Sequence, residues 1–273
     1  EDLRRSVAPR LGDPVALAVD PERRPLAAFA AVQAGETDYA AAGLTPAGTI
    51  RLVTLLRSEN LMTGEVAETV LESEAPAPAG VDALVLDHQV RNLFGGTANG
   101  DLVWWPIADG QLGAPQTFPA GSSAVTALTL LIGDRTLVAG QADGAISVWF
   151  LVRQADESFQ LTRIRDFPPQ RAAIEQLAPS QRNRTFLAVD AAGELGLYFS
   201  TSNRTLWRGS LPLGRATAAT FSPKADGAFV ATERGLGALE IRNPHPETTL
   251  ASLFARIWYE GYEGPEYAWQ STG

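Results

Sequence analysis

The sequence contains no cysteine among its 273 residues. That excludes disulfide staples, thiolate metal sites and thiol catalysis, and leaves the redox compartment open. Histidine is nearly absent too, with only His88 and His245, too few to build a transition-metal site in a chain without thiolates. His245 lies between Pro244 and Pro246. His88, in Asp87-His88-Gln89, reads as a polar residue at a hairpin tip, the other roles open to it being a ligand or a base. There is no Gly-x-Ser-x-Gly elbow, no Gly-x-x-x-x-Gly-Lys phosphate loop and no His-Glu-x-x-His pair, so the common nucleophilic, nucleotide-dependent and zinc chemistries lack their residues. The alternating acids of a calcium loop are also missing. No run approaches the ~20 apolar residues that span a bilayer; patches such as Val148-Trp149-Phe150-Leu151-Val152 are strand-sized. Basic residues are the minority, 22 Lys+Arg against 31 Asp+Glu for a net charge of −9. This argues against a nucleic-acid partner, because binding to phosphate backbones is driven by Lys and Arg.

What the chain does have is glycine, 25 residues, and five of these glycines are regularly placed. Gly48, Gly100, Gly144, Gly193 and Gly235 each open a short apolar run, at spacings of 52, 44, 49 and 42 residues. Two residues on stand Ile50, Leu102, Ile146, Leu195 and the exception Gly237; four residues on stand Leu52, Trp104, Val148, Leu197 and Leu239. Side chains two apart share one face of a strand, so each glycine starts a strand with one buried face. The register holds upstream, with Ala42, Phe94, Val138, Leu187 and Phe229 six residues before the glycines and Val32, Leu84, Leu128, Leu177 and Ala219 sixteen before. Each unit therefore holds three apolar strands, the last two joined by turns such as Asn99-Gly100 and Asp143-Gly144, where positive φ is required. A more polar fourth strand follows in some units, as in Gln160–Ile164 and Arg204–Trp207.

Four antiparallel strands repeating every ~40–50 residues predict an all-β fold, a β-propeller of four-stranded blades. A β-sandwich with regularly spaced hairpins is the competing architecture. Five repeats are visible, in a ring that is partial or larger. The predicted blades run over about 24–77, 81–122, 124–168, 172–213 and 216–247, in a propeller domain of 1–247. Residues 1–23, with Val15-Ala-Leu-Ala-Val19, either belong to an earlier blade or lead into the first. The tail, 248–273, is a different module. Leu250, Leu253, Phe254 and Ile257 recur at helical spacing within Thr248–Trp258 and predict a C-terminal amphipathic helix. An aromatic stretch follows, and Trp258, Tyr259, Tyr262, Tyr267 and Trp269 are the candidate contact residues, suited to a membrane surface or to a partner.

Most acids fall in turns, among them Asp13, Asp101, Asp134, Asp143 and Asp226, where a carboxylate caps backbone N–H groups. Trp104, Trp105 and Trp149 are placed at the ends of third strands, packed between blades or offered to a stacking ligand. No catalytic residue, cofactor or metal is expected, and the chain reads as non-enzymatic. A propeller enzyme of the glycosidase or quinoprotein kind, or a stand-alone protein-binding scaffold, is the alternative.

The stretch Ile257-Trp-Tyr-Glu-Gly-Tyr-Glu-Gly-Pro-Glu-Tyr-Ala-Trp-Gln-Ser-Thr272 resembles the segment leading into the transmembrane part of PstC-type phosphate ABC transporter permeases of Gram-negative bacteria. Larger members of that family carry an extracytoplasmic domain with WD-like repeats. The match covers Leu250–Gly273; elsewhere the resemblance is one of repeat type, and Val148-Trp149 lacks the Asp of a Trp-Asp pair. The resemblance implies a periplasmic domain of an inner-membrane protein. Its implied partners are a second permease subunit, a phosphate-binding protein and an ATPase, and its role is docking or regulation rather than translocation. With Glu1 at one end and no tapering tail at the other, the sequence is expected to be part of a longer chain.

Overall fold

A computed structural model describes residues 17–60 and 62–241. The helix expected over Thr248–Trp258, the aromatic residues Trp258, Tyr259, Tyr262, Tyr267 and Trp269, and His245 lie outside them.

Among the described residues the period-two apolar runs become twenty strands and no helix. The strands form antiparallel up-and-down sheets in chain order. The first sheet holds β1 (Ala28–Ala34), β2 (Asp38–Leu44), β3 (Thr49–Glu59) and β4 (Val66–Pro76). The second holds β5 (Val81–Leu86), β6 (Asn92–Thr97) and β7 (Asp101–Ala108), and two short strands, β8 (Gln111–Leu112) and β9 (Gln116–Pro119), share its outer edge along β7. The third runs β10 (Val125–Leu130), β11 (Leu137–Gln141), β12 (Ile146–Arg153), β13 (Phe159–Phe167). The fourth runs β14 (Ile174–Pro179), β15 (Thr185–Asp190), β16 (Leu195–Phe199), β17 (Arg204–Gly209). The fifth has three strands, β18 (Ala216–Phe221), β19 (Gly227–Thr232) and β20 (Gly235–Glu240). The polar segments Gln160–Ile164 and Arg204–Trp207 fall within β13 and β17. Residues 17–27 contain no strand. A Cβ added at Gly43 would lie 3.2 Å from Val19 and 2.6 Å from Leu26, so this segment lies against the first sheet.

The sheets pack through their first strands: β1 lies against β5, β5 against β10, β10 against β14 and β14 against β18. Between successive sheets lie four separate hydrophobic clusters. Ile50, Leu52 and Trp105 anchor the first; Leu102, Trp104 and Trp149 the second; Ile146, Phe186 and Tyr198 the third; Leu195, Ala219 and Val230 the fourth. Burying a side chain of this size stabilises by roughly 1.5–3 kcal/mol, which is why the positions two and four beyond each turn glycine are apolar. The exception at Gly237 has a physical cause, since a side chain there would run into Leu213. Polar links cross the same joints. The Thr126 hydroxyl donates to the Ile174 carbonyl at 2.6 Å, the Ala219 N–H donates to Gln176 Oε1 at 2.7 Å, and the Trp105 indole donates to the Pro76 carbonyl at 3.1 Å.

Candidate functional site

The ends of the sheets differ in what their turns are built to do. At one end, the residue three before a turn glycine ties its side chain to the backbone. Thr97 Oγ1 accepts the Asp101 N–H at 3.0 Å, and Asp190 Oδ1 accepts the Glu194 N–H at 2.8 Å. Gln141 instead donates through Nε2 to the Ser123 carbonyl at 2.9 Å. Gly144 has φ of 84°, and a Cβ there would sit 2.9 Å from the Ala172 carbonyl oxygen. Its own carbonyl accepts the Gln170 N–H at 2.9 Å, and the Gly100 carbonyl accepts Ala120 N–H at the same distance. These glycines are thus needed twice, for the positive φ and for the passage of the linker to the next sheet. Asp190 is fully buried and Glu194 nearly so, the latter held by Arg208 at 2.7 Å. Most polar groups here are paired within the fold, the exception being the buried Gln170 Oε1, which has no hydrogen-bond partner.

The opposite end is open. A cavity of about 530 Å³ lies where β1, β5, β10 and β14 converge, walled by Ala30, Val32, Leu84, Leu86 and Leu130. Four strand edges end a sheet there. Its rim carries His88 from the β5–β6 turn and Asp134 from the β10–β11 turn. Asp134, at φ 55°, accepts the His88 backbone N–H at 3.0 Å and faces the ring Nδ1 at 3.1 Å from both carboxylate oxygens. With Nδ1 turned to the carboxylate, the ring's Nε2 makes no hydrogen bond among the described residues. The His88 side chain is 62% exposed against 15% for Asp134. A second cavity of about 680 Å³, between the first two sheets, shares His88 and contains Asp38, Thr54, Arg91 and Asp109.

The sequence-predicted residues divide between these ends. His88 is a turn residue, and it also sits at a cavity mouth. Asp143 and Asp226 cap their own turns, accepting from Ala145 N–H at 3.0 Å and the Ser222 hydroxyl at 2.6 Å. Trp104, Trp105 and Trp149 are buried in mid-strand rather than at strand ends, and their indoles donate to Asn92 Oδ1, the Pro76 carbonyl and Ser147 Oγ. None of the three is available to a stacking ligand. Asp87 and Asp190 are buried, unlike the turn acids Asp101, Asp134, Asp143 and Asp226; for Asp190 the sequence signal is its place three residues before a turn glycine. Among the described residues no group of three or more His, Asp or Glu is arranged to hold a metal ion.

Two groups have shifted ionisation that is structural. The Arg24 guanidinium hydrogen-bonds Asp20 from Nε at 2.9 Å and Nη2 at 3.1 Å and holds its carboxyl below the usual range, against the opposing effect of burial. Burial pushes the Tyr198 hydroxyl up, opposed by the hydrogen bond from Gln170 Nε2 at 3.1 Å.

No family model matches the chain. It is similar to Protein ROOT INITIATION DEFECTIVE 3 of Arabidopsis thaliana, at 34% identity over 77 residues. That alignment covers 28% of this chain and 17% of the plant protein.

Proposed function

We propose that the five sheets are consecutive blades of a β-propeller, and that the propeller is a non-catalytic interaction module on the periplasmic side of the inner membrane, in a phosphate ABC transporter permease. The propeller part rests on first strands that neighbour one another in chain order around a common cavity. The transporter part rests on the resemblance of Ile257–Thr272. In this reading the module contacts the phosphate-binding protein and the second permease subunit, while the ATPase works from the other side of the membrane. A net charge of −9 would repel free phosphate rather than gather it, which favours protein contact over substrate capture.

The reading frame that encodes the chain provides the test. Codons downstream of Gly273 should specify a run of roughly 20 apolar residues, the length of a membrane-spanning helix. A purely polar continuation would contradict the transporter part.

A further inference from the structure

We infer that the two cavities joined at His88 form one groove for a short peptide segment, which anchors an apolar side chain in the axial cavity and carries a basic residue beside it. The inference deepens the interaction-module reading and rests on it, but does not need the transporter.

Three observations define the occupant. The axial cavity, about 530 Å³, has walls of Ala30, Val32, Leu84, Leu86 and Leu130, and its rim includes Ile132, a large apolar residue 40% exposed. It falls in the range that encloses most of a small ligand, ~300–1,000 Å³, and accepts an aliphatic side chain. The neighbouring cavity, about 680 Å³, mixes apolar walls such as Leu56, Leu71 and Ile107 with the charged groups Asp38, Asp109 and Arg91. With Asp134 on the rim of the first cavity, the two together carry three carboxylates against one guanidinium, so the groove favours a cation.

The third observation is a pair of unused hydrogen-bonding groups along the path. His88 Nε2 has no partner among the described residues, because Asp134 fixes the ring from its other nitrogen. Thr54, on β3, is 5% exposed and its hydroxyl has no hydrogen-bond partner. A buried polar atom without a partner costs about 1–3 kcal/mol, so its persistence on a cavity wall marks a place where a partner belongs. A ring nitrogen at the rim and a hydroxyl further in suit the polar groups of an extended main chain. One apolar socket before them suits a single side chain. A simple apolar amphiphile would satisfy the socket and leave both polar groups unpaired.

Selection of a random seven-residue phage-display library on the complete chain tests this. The expected outcome is enrichment of peptides with an aliphatic residue within three positions of Lys or Arg. The enriched peptide, fluorescein-labelled, should bind with a Kd raised at least tenfold by His88→Ala and by Thr54→Val. Because the Thr54 hydroxyl makes no bond in the free protein, Thr54→Val should leave thermal unfolding unchanged or raise it, which separates lost binding from lost folding. No enrichment above background, or enriched peptides that bind both variants with unchanged Kd, would overturn the groove assignment. Binding of n-octylamine at His88 without peptide enrichment would also overturn it, and would make the site one for small amphiphiles. Cross-links to transporter components that survive His88→Ala would leave the module reading standing with this groove unused. Loss of all cross-links together with intact peptide binding would remove the transporter and keep the groove.

Discussion

The hydroxyl of Thr126, on the innermost strand of the third sheet, donates to the carbonyl of Ile174, on the innermost strand of the fourth, at 2.6 Å. No strand pairing joins these sheets, so this bond is part of what replaces a shared ladder at the joint. Thr126→Val keeps the shape and strands the carbonyl. The expected loss is about 1–3 kcal/mol, the cost of an unsatisfied buried acceptor, measured by urea unfolding. A loss under about 0.3 kcal/mol would mean that water already serves this carbonyl.

The same joint is tight enough to require glycine. A Cβ on Gly140 would lie 2.5 Å from Ile174 Cγ2 and 2.7 Å from its Cβ. Gly140→Ala should cost about 1–3 kcal/mol through overpacking. In the double variant with Ile174→Ala the two losses should fall well short of adding, as expected for residues in contact. Strict additivity in a double-mutant cycle would contradict this packing.

Stability should respond to pH at both extremes. Asp20 has a folded pKa below its unfolded value of about 3.9. Its contribution is therefore complete above about pH 4 and is lost as pH falls through the lower folded value. The stability gap between the native protein and Asp20→Asn should be widest above pH 4 and close on acidification; a gap constant with pH would contradict the Arg24 contact. Tyr198 is shifted the other way, so its contribution is complete below its unfolded value of about 10 and declines as pH rises beyond it. Tyr198→Phe should flatten the alkaline limb of the unfolding curve.

Much of the fold is legible in the chain because each sheet buries one face of every inner strand against its neighbour. That burial imposes period-two apolar runs, and the turns impose glycine, as at Gly100 and Gly144. Outer strands were harder to read. In β4 the run Val66–Val70 is wholly exposed, so no packing constrains its pattern, and the division of the second sheet's edge between β8 and β9 leaves no periodic trace. The candidate site was least legible. His88 and Asp134 are 46 residues apart, each looks like an ordinary turn residue, and only the curvature of the sheets brings them to one rim. Thr54 carries no sequence mark at all, since a threonine is at home on any strand.

The central claim is that the open end of the sheets is a contact surface in a transporter. Photo-cross-linking in intact membranes, from a benzoylphenylalanine placed at Ile132 on the rim, tests it most directly, with one placed at Trp207 on the outer strand β17 as the comparison. The account predicts adducts with the phosphate-binding protein or the second permease subunit from position 132, and few from position 207. Equal labelling from both positions, or no adduct with either component, would contradict it.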